Sequence, residues 1–435
     1  MAKPFVAFVE RYYPDPFVFL IVLTLVAFGL ALTLTPTTAT QALVAWGDGL
    51  AGLLSFMAQI AITLITAHAL AHTDPVRRGL ARLARIPKSV GACYTLVVLC
   101  ACSASLLAWS FGLVTGALIA RATATEAAQR GLRVHYPLLV AAGYCGLAVW
   151  HMGYSGSAPL VVATPGHAMA DQIGLLPVAS TLFTYWNLLA IVVTVAALAV
   201  VCPRLHPEDS QVRPASINEL ATLAEDEGEN EAVKPRNSFG ARLDGWRGLT
   251  FVFGALLLTY LGHYFYTNGF ALNLNIVNWS LLMLGLLLAR SPEHYVELVL
   301  NAGQTAGAVL IQYPFYAGIM GLMAGSGLVE LLANWFAVIA SAETLGFWAF
   351  LSGGLLNLFI PSGGGQWAVQ GPVFLQAAAD LGTDPAIIVM GVAYGDQWTN
   401  LIQPFWTIPL LAIAGLSMRD IMGYCFVLFL ACGVP

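Results

Sequence analysis

The sequence predicts an all-α polytopic membrane protein built as an inverted-topology repeat, with two re-entrant hairpins, two discontinuous helices and about nine full spans. Three observations predict it: the composition, the sided placement of Lys and Arg, and one order of segments that recurs in both halves. The 435 residues are 58% hydrophobic and 9% charged, with a mean hydropathy of +0.77. Soluble domains carry roughly 25% charged residues, and a single soluble core stops growing near about 250–300 residues. A water-soluble fold is excluded on both counts. With 18 Lys and Arg against 23 Asp and Glu the net charge is −5. The cations are too few and too scattered to neutralise a phosphate backbone, which excludes a nucleic-acid partner. The seven cysteines form no CxxC, and Cys93, Cys100, Cys102, Cys145 and Cys425 lie in apolar stretches where a thiol packs as a small hydrophobe.

A helix needs about 20 apolar residues to cross roughly 30 Å of hydrocarbon. Runs of that kind lie at 17–35, 50–72, 90–120, 137–163, 181–202, 249–267, 276–290, 301–322, 344–378, 386–412 and 418–435. The first is read as a span and not a cleaved leader, since it lacks a small-residue cleavage site and is followed by many more such runs. Runs 90–120 and 344–378 are too long for one span, and each has a polar, Gly-bearing middle, Ala108-Trp109-Ser110-Phe111-Gly112 and Pro361-Ser362-Gly363-Gly364-Gly365-Gln366-Trp367. They are either over-long helices or hairpins that leave on the side they entered.

Charge decides, because Lys and Arg collect in short cytoplasmic loops. Arg77, Arg78, Arg82, Arg85 and Lys88 precede the first long run, and Arg121, Arg130 and Arg133 follow it, so both its ends share a side. With two hairpins and a cytoplasmic start at Lys3 and Arg11, all 18 Lys and Arg are cytoplasmic, and the outside segments 36–49, 164–180, 268–275, 323–343 and 379–385 hold none.

The halves share a layout. Spans 17–35 and 50–72, a basic amphipathic stretch at 74–88, hairpin 90–120 and spans 137–163 and 181–202 are matched by 276–290, 301–322, an amphipathic stretch at 327–340, hairpin 344–378, and 386–412 and 418–435. The expected units are thus 1–202, a cytoplasmic linker 203–248 with the acidic run Glu225–Glu231, a connecting span in 249–275 that inverts the second half, and 276–435. Inverted repeats of this construction are found in many secondary transporters. No HExxH, GxSxG, Walker A loop or strand-borne GxGxxG points to an enzyme, nor to ATP-driven transport by this chain alone.

The span after each hairpin is interrupted, at His151–Pro159 and at Gln397–Pro404. Proline removes a backbone donor and glycine loosens the helix, so each span is expected to form two half-helices with free backbone groups between them. Half-helix N-termini attract anions, and unwound carbonyls attract cations. Two hairpin tips and two breaks therefore converge on one site. The substrate-binding candidates are Ser110, Gly112, Ser155, Gly156, Ser157, Ser362, Gly363, Gly364, Gly365, Gln366, Thr399, Asn400 and Gln403. No Lys or Arg stands among them, which suits a small monoanion with an apolar remainder better than a dicarboxylate or phosphate. Gly, Ser and Pro also permit kinks and close helix packing, and that bland reading is outweighed only by four such motifs at equivalent positions. Asp396 is the one carboxylate deep in an apolar span, and intramembrane acids commonly serve ion or proton pathways, a structural hydrogen bond being the alternative. His68 and His151 are further ion-coupling candidates, each with hydrogen-bonded packing as the plainer reading. No fixed metal or cofactor is expected, only a coupling H+ or a transient Na+.

These motifs resemble the bacterial short-chain fatty acid transporter family, the butyrate and acetoacetate permeases of the ion transporter superfamily. The resemblance is carried by Tyr13-Pro14-Asp15-Pro16-Phe17, Trp46-Gly47-Asp48-Gly49, Ser155-Gly156-Ser157 with Thr164-Pro165-Gly166, Pro361–Gly365 with Trp367 and Gln370-Gly371-Pro372, and Ala393–Trp398 with Gln403-Pro404-Phe405-Trp406. It departs at Trp150-His151-Met152, where the family pattern holds more glycine. The resemblance implies uptake of short monocarboxylates across the bacterial inner membrane by a homodimer, with a scaffold and a moving, hairpin-bearing transport domain. A di- or tricarboxylate transporter or ion/proton antiporter of the same architecture stays open, as does a non-transporting membrane scaffold or receptor.

Overall fold

A computed structural model describes residues 16–52, 54–164, 166–167, 169–216, 238–269 and 274–433. Lys3, Arg11, Tyr13, Pro14, Asp15, Pro165 and the acidic run 225–231 lie outside the described residues. The secondary structure of the described residues is helical: α1 (Pro16–Leu34), α2 (Ala39–Gly49), α3 (Leu54–His72), α4 (Asp74–Ala84), α5 (Val90–Leu107), α6 (Trp109–Gln129), α7 (Tyr136–Tyr144), α8 (Ser157–Val162), α9 (Tyr185–Arg204), α10 (Arg247–Asn268), α11 (Leu274–Leu288), α12 (Pro292–Gly325), α13 (Leu328–Val338), α14 (Leu345–Asn357), α15 (Gly363–Leu381), α16 (Pro385–Asn400), α17 (Pro404–Ala414) and α18 (Met418–Cys432). Their starts are written locally. Ser89, Ser291, Ser362 and Asp384 each accept a first-turn amide, and Pro292, Pro385 and Pro404 occupy first-turn positions where no amide donor is needed.

Among the described residues Phe17–Leu34, Val90–Leu107, Tyr185–Arg204 and Arg247–Asn268 are long and apolar enough to cross a membrane, and Tyr313–Gly325 and Leu328–Val338 are an apolar pair bent by 61° at their junction. Helices in the other expected spans are shorter or broken, such as Leu345–Asn357 and Pro404–Ala414. Large apolar side chains on α1, α9 and α10 are exposed, as faces turned to lipid require.

Both long runs fold back on themselves. The Arg130 guanidinium, just past α6, donates to the carbonyls of Ala84, Arg85 and Pro87, and Arg85 pairs with Glu126 at 3.0 Å, so the end of α6 is tied to the start of α5. The turn is the single extended residue Ala108. At about 1.5 Å per residue α5 and α6 are roughly 27 and 31 Å long. In the second hairpin Thr383 donates to Ala342 O, Gln366 to Gly353 O and Gln370 to Ser352 Oγ. Its turn is 358–362, and the three glycines are not the turn but the first residues of the returning helix.

Three expectations change. Arg121 does not follow the first hairpin in a loop. It is buried within α6, and its Nη1 donates to Ile413 O at 2.6 Å, where a cation suits the negative end of α17. Outside segment 36–49 contains helix α2, which crosses α12 where Gly49 meets Gly321, a Cβ on Gly49 falling 2.8 Å from Ala317 O. Finally, the expected span 301–322 lies inside one longer helix, α12, which already begins at Pro292.

Residues 205–216 dock on the helix ends beside the first hairpin. His135 Nδ1 accepts the Arg213 amide at 3.0 Å, its Nε2 meets Tyr424 OH at 2.9 Å, and its own amide donates to Tyr94 OH. Tyr94 OH also meets His206, and Arg213 pairs with Asp420 at 2.6 Å. Burial, then the charges of His206 and Arg213, hold the His135 imidazole down to about 4 from its ordinary 6.5, against the opposing pull of Asp420. A depressed folded-state value means the unfolded chain takes the proton first, so this contribution is intact above about 6.5 and is lost as pH falls toward about 4. Hydrogen-exchange protection of the Arg213 and Tyr136 amides, corrected for intrinsic rates, should fall across that window. Constant protection would refute the role of His135 as the clasp.

Candidate functional site

The second broken helix supplies the frame of the site. α16 stops at Asn400, and the chain restarts at Pro404 with Gln403 as cap, its Oε1 accepting the Phe405 amide. Gln403 Nε2 reaches back to Asn357 O and Leu358 O at the turn of the second hairpin. Tyr144 OH donates to the carbonyls of Asn400 and Gln403 at the break, at 2.6 and 3.1 Å, and Asn400 O also accepts the Gln403 amide. Asn357, at the end of α14, donates through Nδ2 to Asp396 O at 3.0 Å, Thr399 Oγ1 at 2.9 Å and Asn400 Oδ1 at 2.7 Å. Asn400 Nδ2 in turn faces Asp396 Oδ1 at 3.3 Å. α14 lies close enough for these bonds because glycines form the seam: a Cβ on Gly395 would stand 1.9 Å from Phe350 O.

The first broken helix closes the other side. After α7 the chain tightens into 3₁₀ turns, Cys145–Ala148 and Trp150–Met152, passes through extended Gly153 and resumes at Ser157. Its backbone rests on the tip of the first hairpin, with the Tyr154 amide on Leu106 O at 2.7 Å and the Trp109 amide on Ser155 Oγ at 3.0 Å. His151 faces inward and is 1% exposed, as is Asp396. The His151 amide donates to Gln397 Oε1, its Nδ1 accepts the Ser157 amide at 3.2 Å, and its Nε2 lies 3.5 Å from Asp396 Oδ1.

The second hairpin aims the start of α15 at this pair. A Cβ on Gly363 would sit 2.6 Å from His151 Cε1 and Nε2 and 3.1 Å from Ser157 Oγ. Ser362 satisfies the Gly365 amide, which leaves the Gly363 and Gly364 amides as the unspent donors of a 19-residue helix. Beyond Gly364 there is open space. Such an N-terminus binds carboxylates. Trp150 packs against His151 with ring centroids 3.5 Å apart, and Trp109 and Trp406, 4.9 Å apart, complete a buried indole cluster with it.

Direct contacts thus join Ser157, Gly363, Thr399, Asn400, Gln403, Asp396 and His151, with Ser155 tied in through Trp109. Ser110 is buried next to Trp109, and its hydroxyl has no hydrogen bond among the described residues. Other candidates are there for packing. Gly112 is pressed against Ser105, Gly156 against His151 O, Gly365 lies against Met320, and Gln366 ties the two arms of its hairpin together. His68 stacks on His72 within α3, with centroids 4.1 Å apart, and no contact among the described residues joins it to the site. Asn357, Gln397 and Tyr144 are absent from the candidates drawn from sequence. Asn357 carried a signal, being an amide inside the apolar run Gly354-Leu355-Leu356-Asn357-Leu358-Phe359-Ile360. Tyr144 carried none.

A helical chain with lipid-facing flanks, folded around two hairpins and two broken helices that meet at a buried polar centre, is a membrane transport protein. This chain belongs to the short-chain fatty acid transporter family, whose model, "Short chain fatty acid transporter", matches residues 1–435. It is a transporter and not an enzyme. A protein of Escherichia coli (strain K12) named "Putative short-chain fatty acid transporter" is 40% identical over 427 residues, covering 98% of this chain and 96% of that one. One of the same name from Haemophilus influenzae is 36% identical over 425 residues, covering 96% and 94%. The crystal structure of the Alcanivorax borkumensis YdaH transporter is similar over 97% of each chain at 16% identity, with a TM-score of 0.46, too loose a likeness to carry an argument.

Proposed function

We propose that the protein takes up short monocarboxylates, butyrate and acetoacetate among them, across the bacterial cytoplasmic membrane, coupled to H+ or Na+. The observation that carries this reading is the capped, glycine-bearing start of α15 beside a buried His–Asp pair and its indole cluster, with Ser, Thr, Asn and Gln as the remaining polar groups. One helix N-terminus suits one carboxylate, and the indoles suit a short acyl remainder. Binding would use the two free amides with Ser110, Ser157, Thr399 and Asn400 around them. The hairpin-bearing part, α5–α8 and α14–α17, would move against the rest in an elevator-type step within a homodimer. In proteoliposomes, trapped unlabelled butyrate should drive entry of labelled acetoacetate, competed by butyrate and acetoacetate and not by succinate or citrate. Competition by the larger acids would favour a di- or tricarboxylate carrier, and absence of exchange a scaffold or receptor.

The same reading makes both hairpins re-entrant, with nine further spans, the N-terminus and 203–248 cytoplasmic, and 164–180, 323–343 and the C-terminus outside. The length of α5 and α6 leaves the charge argument intact, since a hairpin returns the chain to its starting face at whatever depth it turns. Gln129 and Gln172 are both exposed. Cysteines placed there in a background without native thiols should label from opposite faces, and labelling from one face would overturn the arrangement.

A further inference from the structure

We propose that the coupling ion is a proton, taken up by the His151–Asp396 pair, and that uptake is electroneutral with one proton per monocarboxylate. The inference rests on the transport reading above and goes past it by choosing the ion, the atoms and the stoichiometry.

Backbone groups, which have no choice of role, direct the bonds that Asn357 and His151 make around Asp396, and the Thr399 hydroxyl also donates to Asp396 O. Asp396 O can only accept, so Asn357 presents its NH2 there, and the same NH2 meets Asn400 Oδ1. Asn400 must then turn its own NH2 to Asp396 Oδ1. The Ser157 amide can only donate, so His151 Nδ1 is an acceptor, and the neutral ring carries its hydrogen on Nε2, facing Asp396 Oδ1. Both groups aimed at that oxygen are therefore N–H donors. At Oδ1 a hard cation such as Na+, which needs a shell of oxygens, would meet the positive ends of two N–H bonds instead.

Charge arithmetic links the pair to the substrate. With neutral His151 and ionised Asp396 the pair carries −1 beside the Gly363 and Gly364 amides, where a carboxylate would be repelled. His151 Nδ1 is occupied by the Ser157 amide, whereas Asp396 Oδ2 is buried without a hydrogen bond among the described residues. A proton arriving there forms one O–H bond, makes the pair neutral and lets the anion bind; its loss on the other face releases both. Each ligand raises the affinity of the other, as linkage requires. The neighbouring elements bring Tyr144, which donates to Asn400 O, and Cys145, which donates to Ala141 O. α14 and α15 contribute Asn357 and the Gly363 amide.

The test uses the full chain in proteoliposomes with labelled acetoacetate, after subtraction of the leak into protein-free vesicles. Accumulation should follow an imposed pH gradient one for one, and neither a Na+ gradient nor a valinomycin-set K+ potential should drive it. Exchange at equal pH on both faces should fall as the pH is raised, and Asp396→Asn should flatten that profile and abolish accumulation driven by pH. Accumulation driven by Na+ or by potential overturns the proposal, as does an Asp396→Asn variant that still concentrates substrate on a pH gradient. If Asp396→Asn proves unstable, the wild-type stoichiometry decides alone. Absence of acetoacetate exchange by the wild type under every condition overturns the transport reading itself, and the two failures are thereby distinguished.

Discussion

Gly364→Val should abolish carboxylate exchange while the protein remains folded. Nothing lies within 4 Å of a Cβ at this position, and its backbone is not in the left-handed region, so a valine meets neither clash nor strain. Glycine is the poorer helix former by up to about 1 kcal/mol, so stability should hold or rise slightly. The isopropyl group nevertheless fills the open space over the Gly363 and Gly364 amides, and a carboxylate held by those amides has nowhere else to go. The expected result is a monodisperse protein with an unchanged melting temperature and exchange reduced to the vesicle background. Normal exchange would show that the start of α15 is not the anion site. Gly363→Ala makes the complementary case, because its Cβ would press on the His151 ring at 2.6 Å.

Asn357→Leu should destabilise the protein and silence it together. The substitution keeps the branching at Cγ but enlarges the side chain, strands Asn400 Oδ1 and removes the Asn357 donor from Asp396 O and Thr399 Oγ1 in a buried site, where Thr399 Oγ1 still donates to Asp396 O. Hydrogen bonds between membrane helices average about 0.6 kcal/mol each, and a stranded buried polar group costs about 1–3 kcal/mol, so a loss of about 2–4 kcal/mol is expected. It should appear as a lower melting temperature in detergent. Exchange should fall further than stability explains, since Asn400 is then free to rotate and no longer presents its NH2 to Asp396. A variant with wild-type melting and exchange would remove Asn357 from the organisation of the site.

The extents of legibility differ between backbone and side chain. The apolar runs, the hairpin at 344–378, the interruptions at His151–Pro159 and Gln397–Pro404 and the depth of Asp396 were all readable, because hydropathy, proline and glycine act within a few residues. Arg121 was misread for the same reason. A cation next to a polar stretch looks like a loop residue until its carbonyl partner, Ile413, is known.

What sequence alone determined is which segments are apolar enough to enter a membrane, where their helices must break, and that the breaks carry Ser, Thr, Asn and Gln with no fixed cation. Only the tertiary structure decided that His151 faces Asp396, that Asn357 governs the orientation of Asn400, and that Gly363 abuts the imidazole while Gly364 faces open space. The physical reason is the reach of the interactions. A helix break is written in adjacent residues, but an amide or imidazole with two possible roles takes its direction from a backbone group, and at this site Asp396 O orients an asparagine on another helix, distant in the chain.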